Sequence, residues 1–459
     1  MSPRATTGPA EDDHVIVVDL GYGDAGKGTV VDWLCARPGA EPVRPRTVIR
    51  FNGGAQAAHN VVTPDGRHHT FAQFGSGMFT AGVRTHLSRF MLVDPLALAA
   101  EAAHLAESGV RDALDRLTVD RDALLTTPYH RAANRARELA RPAVERHGSC
   151  GMGIGETMRY ALDSPADAPR AGDCDAPRTL ARKLRLLRDW LAAELGDGGS
   201  GPERAVAGDP LLPSIADLAD AYRAFSSRVA LVDGEYLRRL LHAGPAVFEG
   251  AQGVLLDEWH GFHPYTTWST TTFASAQELL AEAGMTAFRL GVTRCYLTRH
   301  GPGPLVTQDP TLELPERHNA RNRWQGRFRL GHFDAVALRY AVEAAGGVDG
   351  IGLTHLDVAE HARLRVCDGY LLGDQRLDRL EVSQDRDLAR QEQLTRALLR
   401  CRPQYLAQPG DWPTFVAQTL GAPVVLLSTG PTSLDKAAAG AWRTARSGSP
   451  PAATASGRR

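Results

Sequence analysis

The densest chemistry in the chain lies in Gly21-Tyr22-Gly23-Asp24-Ala25-Gly26-Lys27-Gly28-Thr29-Val30, between an apolar run and a helical segment through Trp33 and Leu34. Strand, glycine-rich turn, lysine and helix together aim backbone N–H groups and a helix N-terminus at a phosphate chain. The spacing from Gly21 to Gly26-Lys27 fits a triphosphate loop, but Gly28 stands where such loops carry a Mg²⁺-binding hydroxyl. Asp24 is the nearest hard oxygen ligand and could take that metal instead. Lysine is scarce: Lys27, Lys183 and Lys436 are the only ones among 52 Lys+Arg, so 49 basic residues are arginine. One of the three sits where a compact charge on a long stem suits a triphosphate. A second glycine-rich segment, Val48 to Asn60, carries His59 among small residues. Taken alone, such a histidine is more often structural.

Elements must hold these residues in place. His14-Val15-Ile16-Val17-Val18-Asp19-Leu20 reads as a strand buried on both faces. Further central strands are expected at Val247-Phe248, 287–290, 350–353 and 424–427, and helices at 94–107, 127–146, 176–195, 213–226, 275–284 and 333–345. Their alternation predicts an α/β fold with a mostly parallel central sheet and helices on both faces. The arginine-rich stretch 110–245 reads as a helical elaboration of a single domain spanning 14–443. Residues 163–177 and 196–212 read as loops, 1–13 as a disordered leader and 444–459 as a disordered tail.

Composition narrows the class. With 459 residues the chain has room for a large core, and 52 basic against 53 acidic residues give a net charge of −1. Such a balance supplies no global field for nucleic acid or an anionic membrane, so any polyanion site is local and neither is expected as a partner. The six cysteines show no CxxC pair or zinc-like spacing and read as free thiols of a reducing compartment. No signal peptide or membrane-spanning run is visible, which points to the cytoplasm.

Nine segments, in order, resemble the adenylosuccinate synthetase family: GDAGKG (23–28), RFNGGAQAAH (50–59), GMGIG (151–155), FEGAQGVLLD (248–257), PYTTWSTTT (264–272), TRHGPGP (298–304), GRFRLGHFD (326–334), LTHLD (353–357) and LSTGP (427–431). The resemblance implies a fold related to P-loop nucleoside triphosphatases, a homodimer, and a Mg²⁺- and GTP-dependent ligase joining IMP to L-aspartate. It also implies that Asp24 takes the N1 proton of the purine and ligates Mg²⁺ together with the Ala58 carbonyl. His59 is then the general acid at O6, and Lys27 with the loop amides cradles the phosphates. GTP falls to Gly23, Asp24, Ala25, Gly26, Lys27, Gly28, Thr29, His59, Asn60, Arg329, His355, Asp357, Ser428, Thr429 and Gly430. Asp357 matches the guanine-reading carboxylate, although alone it reads as a helix N-cap. The acceptor nucleotide falls to Gln56, Ser149, Cys150, Gln252, Thr267 and Arg327, with Gln252 beside the reacting centre.

Departures concentrate on the acceptors. Gln56 replaces an asparagine, Ala58 a glycine and Cys150 a phosphate-binding threonine, whereas on the GTP side His355 replaces a lysine. The arginine that the family sends across its dimer interface has only Arg159 and Arg170 as candidates. The family's Thr-Thr-Gly-Arg loop for aspartate becomes Asn322-Arg323-Trp324-Gln325-Gly326-Arg327-Phe328-Arg329, leaving Trp324, Gln325 and Arg327 for the amino acid. Trp268 adds another aromatic where the family has a small residue. Changed polar partners can switch specificity by orders of magnitude. The expectation is therefore a divergent ligase acting on IMP or an analogue, with aspartate or another amine. The alternative is a non-catalytic GTP-binding regulator on the same scaffold.

Overall fold

The computed structural model describes residues 13–36, 45–142, 148–195, 212–316, 324, 326–383 and 385–439. The expected tail, all of the leader but Asp13, Gln325 and most of the 196–212 loop lie outside them. Ten strands form the main sheet: β1 His14–Asp19, β2 Thr47–Arg50, β3 Arg84–Leu87, β4 Leu117–Asp120, β5 Ala230–Val232, β6 Ala246–Gly253, β7 Ala287–Arg294, β8 Gly350–Thr354, β9 Val424–Ser428 and β10 Lys436–Ala438. Across the sheet they run β10-β9-β8-β7-β1-β6-β2-β3-β4-β5. Each adjacent pair is parallel except β9–β10, which is antiparallel at the edge.

The expected strands are all present, and β1 shows why. All six of its residues are buried. Ile16 and Val18 enter one core with Phe248, Phe333 and Tyr340, whereas Val15 and Val17 enter another with Val30, Val31 and Leu34. An apolar run without alternation is what two covered faces require. The first core is roofed by helices Ala274–Glu282, Ala335–Ala344 and Trp412–Leu420, and the second by α1, Lys27–Ala36.

The helical expectations hold with shorter ends where caps decide. Asp94, Thr127, Ser214 and Asp334 accept first-turn amides and start the helices at Pro95, Pro128, Ile215 and Ala335. The 163–177 loop contains a 3₁₀ turn, Ala171–Asp175, and an unanticipated helix, Ile154–Asp163, begins within the GMGIG segment. The 110–245 stretch carries helices but also supplies β4 and β5, so it extends the sheet as well as decorating it.

Chain order places the site. β6 is inserted between β1 and β2, and β7 flanks β1 on its other side. Connections therefore diverge at the carboxyl ends of β1, β6 and β7, where open α/β sheets form ligand crevices. The phosphate loop, Gln252 and Arg294 all lie at these ends.

Candidate active site

Asp19, the last residue of β1, organises the loop that follows. Its Oδ1 accepts from the amides of Gly21 (2.7 Å) and Gly23 (3.2 Å), and its Oδ2 from Ala25 (2.7 Å). Lys27 Nζ completes the shell at 3.3 Å from Oδ2 and also donates to the Gly23 carbonyl at 2.8 Å. Both side chains are almost wholly buried. The sequence reading gives the loop amides and Lys27 to a phosphate chain; the structure gives three amides and the ammonium to Asp19. The first-turn amides of α1 lack intrahelical partners, and a helix N-terminus of this kind can take an anion. An acidic residue closing a buried strand just before a glycine turn is the signal that could have revealed Asp19.

Asp24 stands at the bend of this loop, between Gly23 (φ +110°) and Gly26 (φ +88°). Its backbone carbonyl accepts from Arg294 Nε at 2.6 Å, and Arg294 also holds the Tyr296 hydroxyl at 2.7 Å and the Glu316 carboxylate. Asp24 Oδ2 is buried without a hydrogen-bond partner, and His300 Nε2 lies 3.8 Å away. Burial raises the carboxyl's pKa, while His300 and Arg294 oppose the rise. Neither Arg294 nor His300 is singled out by the sequence reading, though His300 lies in one of its matched segments.

His59 explains Gly28. A Cβ on Gly28 would lie 2.7 Å from His59 Cβ and 3.0 Å from Ser76 Oγ. The position of the usual metal-binding hydroxyl is thus filled by His59 itself, which presses on the first turn of α1. Its Nδ1 meets Glu249 Oε1 at 2.6 Å, and Glu249 also accepts from the Ser76 amide at 2.9 Å and from the Ser76 hydroxyl. Burial pushes the imidazole pKa down to about 4 despite Glu249. Burial opposes the charge on Glu249, but His59, Arg50 and Ser76 outweigh it and hold that carboxyl at about 2. Both directions favour a neutral ring beside an ionised carboxylate.

Gln252 closes the third side. It adopts φ +56°, a left-handed conformation that non-glycine residues rarely take, and its Oε1 is buried without a partner. Gln56 Oε1 and Nε2 are likewise unpartnered, and both amides crowd Gly53. Strain combined with unsatisfied buried amides marks a place built for a polar ligand.

The remaining expected acceptor residues have other neighbours. Ser149 Oγ donates to Asn134 Oδ1 at 3.0 Å and accepts from the Gly151 amide, while burial raises the thiol pKa of Cys150. The Thr267 amide donates to the Leu256 carbonyl, and Arg327 is exposed. Trp324 lies flat on Gly151, with the Arg135 guanidinium 5.5 Å from its ring. Arg159 pairs with Glu194, and Arg170 donates to the Asp122 carbonyl. Both candidates for the cross-interface arginine are thus engaged within their own chain.

On the expected guanine side, His355 (φ +59°) caps helix Leu356–His361 and turns its ring edge-on to Tyr296, and Asp357 in that helix is exposed. Thr29 Oγ1 reaches the Pro431 carbonyl at 2.8 Å, tying α1 to the Ser428-Thr429-Gly430 segment. Ser428 Oγ donates to the Gly430 carbonyl and Thr429 Oγ1 to that of Asp435. Asn60 Oδ1 accepts from Thr70, and Arg329 donates to Gln308 and the Gly303 carbonyl. These two bonds turn Arg329 toward the 303–308 turn.

Two outcomes follow for the loop. Asp19→Asn removes the charge facing buried Lys27 and should destabilise the fold by about 3–5 kcal/mol, read from denaturant midpoints at unchanged slope. Gly28→Ala inserts a methyl where His59 sits. It should lower turnover at least tenfold while nucleotide affinity, measured calorimetrically, changes much less; equal losses in both would contradict this account of Gly28.

A family model described as adenylosuccinate synthetase matches residues 16–435. The fold is also that of fully ligated adenylosuccinate synthetase from Plasmodium falciparum, at TM-score 0.72 and 20% identity over 93% of this chain and 100% of that one. A second similar structure is the cyanophage S-2L succinoaminodeoxyadenylate synthetase PurZ, bound to dGMP and to dATP as energy donor. It matches at TM-score 0.51 and 18% identity over 93% and 95% of the two chains. With its motifs in family order and its family model spanning nearly the whole chain, this protein belongs to the adenylosuccinate synthetase family of purine-nucleotide ligases.

Proposed function

We propose that the chain uses GTP to activate the 6-oxo group of a purine nucleotide, IMP or an analogue, and joins the product to the amine of aspartate or another amino acid. One observation carries this reading: Asp24 Oδ2, His59 and the strained Gln252 all border one loop, through close approaches at Gly23 and Gly28. A regulator that only bound nucleotide would have no use for that convergence.

Asp24 is the base. Burial raises its proton affinity, and a base whose pKa is moved toward the working pH removes the purine N1 proton more effectively. Gln252 and Gln56 offer amides to the acceptor nucleotide. His59 presents its ring at the first turn of α1, where phosphate charge opposes the burial that keeps it neutral. A protonated Nε2 then donates to the charge developing between O6 and the phosphoryl group. Activation turns the oxo oxygen into a phosphate leaving group, which the amine displaces, so one hard step becomes two easier ones.

A divalent cation fits these residues. Among the described residues no three metal-binding side chains cluster, yet a buried carboxylate oxygen stands unpartnered at Asp24. Mg²⁺ is commonly held by one or two carboxylates with substrate phosphates. Asp24 and the Ala58 carbonyl would hold it, and when bound it would neutralise phosphate charge. No described helix is long and apolar enough to cross a membrane. A cytoplasmic homodimer belongs to the same reading.

Incubation with GTP or ATP, Mg²⁺, IMP or dGMP, and aspartate or an amino-acid mixture tests the proposal by phosphate release and product mass. Release requiring both acceptor and amine supports it; tight GTP binding without release in every arm supports the regulator. Asp24→Asn should lose about 10²–10⁴-fold in turnover while still binding GTP.

A further inference from the structure

We propose that Glu249 is a positioning residue that fixes His59 in the tautomer bearing its proton on Nδ1, so that Nε2 is the nitrogen offered to the reacting groups. The kinetic consequence rests on the reaction proposed above; the structural content does not.

The argument starts from burial. Glu249 lies in β6 between β1 and β2 and is fully inaccessible, as is Arg50 on the neighbouring strand. An ionised carboxylate there only accepts hydrogen bonds. Oε2 accepts from the Ser76 amide, whose hydrogen is fixed by the backbone, and Oε1 accepts from the Ser76 hydroxyl and His59 Nδ1. The nitrogen facing Oε1 must therefore carry the proton. The ring nitrogen facing Oε1 is held there by the 2.6 Å contact itself, and residue 28 can carry no side chain beside His59 Cβ. Arg50 contributes its field and not a bond to Glu249: its Nη1 donates to the Phe74 carbonyl at 3.1 Å. In a dyad of this type the carboxylate orients the imidazole and selects its tautomer without itself exchanging protons.

The geometry makes an unusual demand on Glu249→Gln. The Ser76 amide is a fixed donor, so the new carboxamide must turn its oxygen toward Ser76 and its NH₂ toward His59. An NH₂ group facing Nδ1 forces the ring proton onto Nε2. A variant of nearly identical shape should thus invert the histidine.

Nitrogen NMR of the full chain labelled with ¹⁵N-histidine reads this directly, with the His59 signals identified by their loss in His59→Asn. The wild type should show a protonated Nδ1 and a bare Nε2, and Glu249→Gln the reverse. Turnover of Glu249→Gln should fall at least tenfold with KM values for GTP and acceptor changed less than about threefold. A wild-type ring protonated only on Nε2, or a folded Glu249→Gln that retains Nδ1–H, overturns the proposal. Inversion with unchanged turnover overturns the positioning role. If Glu249→Gln does not fold, the wild-type spectrum still decides the tautomer, and Ser76→Ala, which keeps the carboxylate, should retain Nδ1–H. Failure of the wild type to turn over any acceptor would count against the proposed reaction and leave the tautomer result standing.

Discussion

A single buried carboxylate, Asp19, shapes everything at the mouth of this sheet. Three loop amides and the Lys27 ammonium converge on its two oxygens, so a turn rich in glycine has one conformation. An unpaired charge at that depth would be prohibitively costly, and the loop conformation is what satisfies it. Because the loop is held from below, Asp24 can stand at its bend with an oxygen left unbonded. The same closure lets the Leu255 amide reach the Gly21 carbonyl and brings the end of β6 against the loop. Gln252 is delivered with it.

The bare Gly28 is the second constraint and follows from the first. Once the loop leads directly into α1, its first turn has room either for a side chain at 28 or for His59, not for both. An ordinary triphosphate loop takes the first option and places a hydroxyl on the metal. This chain takes the second and brings in a histidine backed by Glu249 and Ser76. What the exchange brings to the loop is a side chain that can handle protons.

Aromatic rings and arginines crowd the loops beside Gly151 and Asp24. Trp324 rests on Gly151 beneath Arg135, and His300 packs against Phe328 at 4.7 Å while approaching Asp24. Arg299 and Arg329, paired across strands Leu297–His300 and Phe328–Gly331, direct their bonds to carbonyls and an amide. Arg299 gives its donors to three carbonyls, whereas Arg329 keeps a buried Nε without a partner. Aromatic faces and bonded arginines select ligands differently from small hydroxyls, so the proposed function names the amine and the acceptor by class.

Much of this was legible along the chain. Short-range rules sufficed where the cause is local. A continuous apolar run marked β1, and glycines around Lys27 and Asp24 marked the loop. The order of matched segments led to the family. What could not be read concerns residues joined only by folding. Asp19 looks like any strand end until three amides turn back on it. Glu249 lies 190 positions from the His59 that it orients, and Gly28 reads as a defect until His59 is seen in its place. The fate of Lys27, of Arg159 and of Arg170 depended on which partner lay nearest in space, and hydrogen bonds are satisfied by proximity and not by sequence spacing. Residue types and local spacing therefore determined which groups are available for chemistry; the packing of β1, β6 and β7 decided which of them meet.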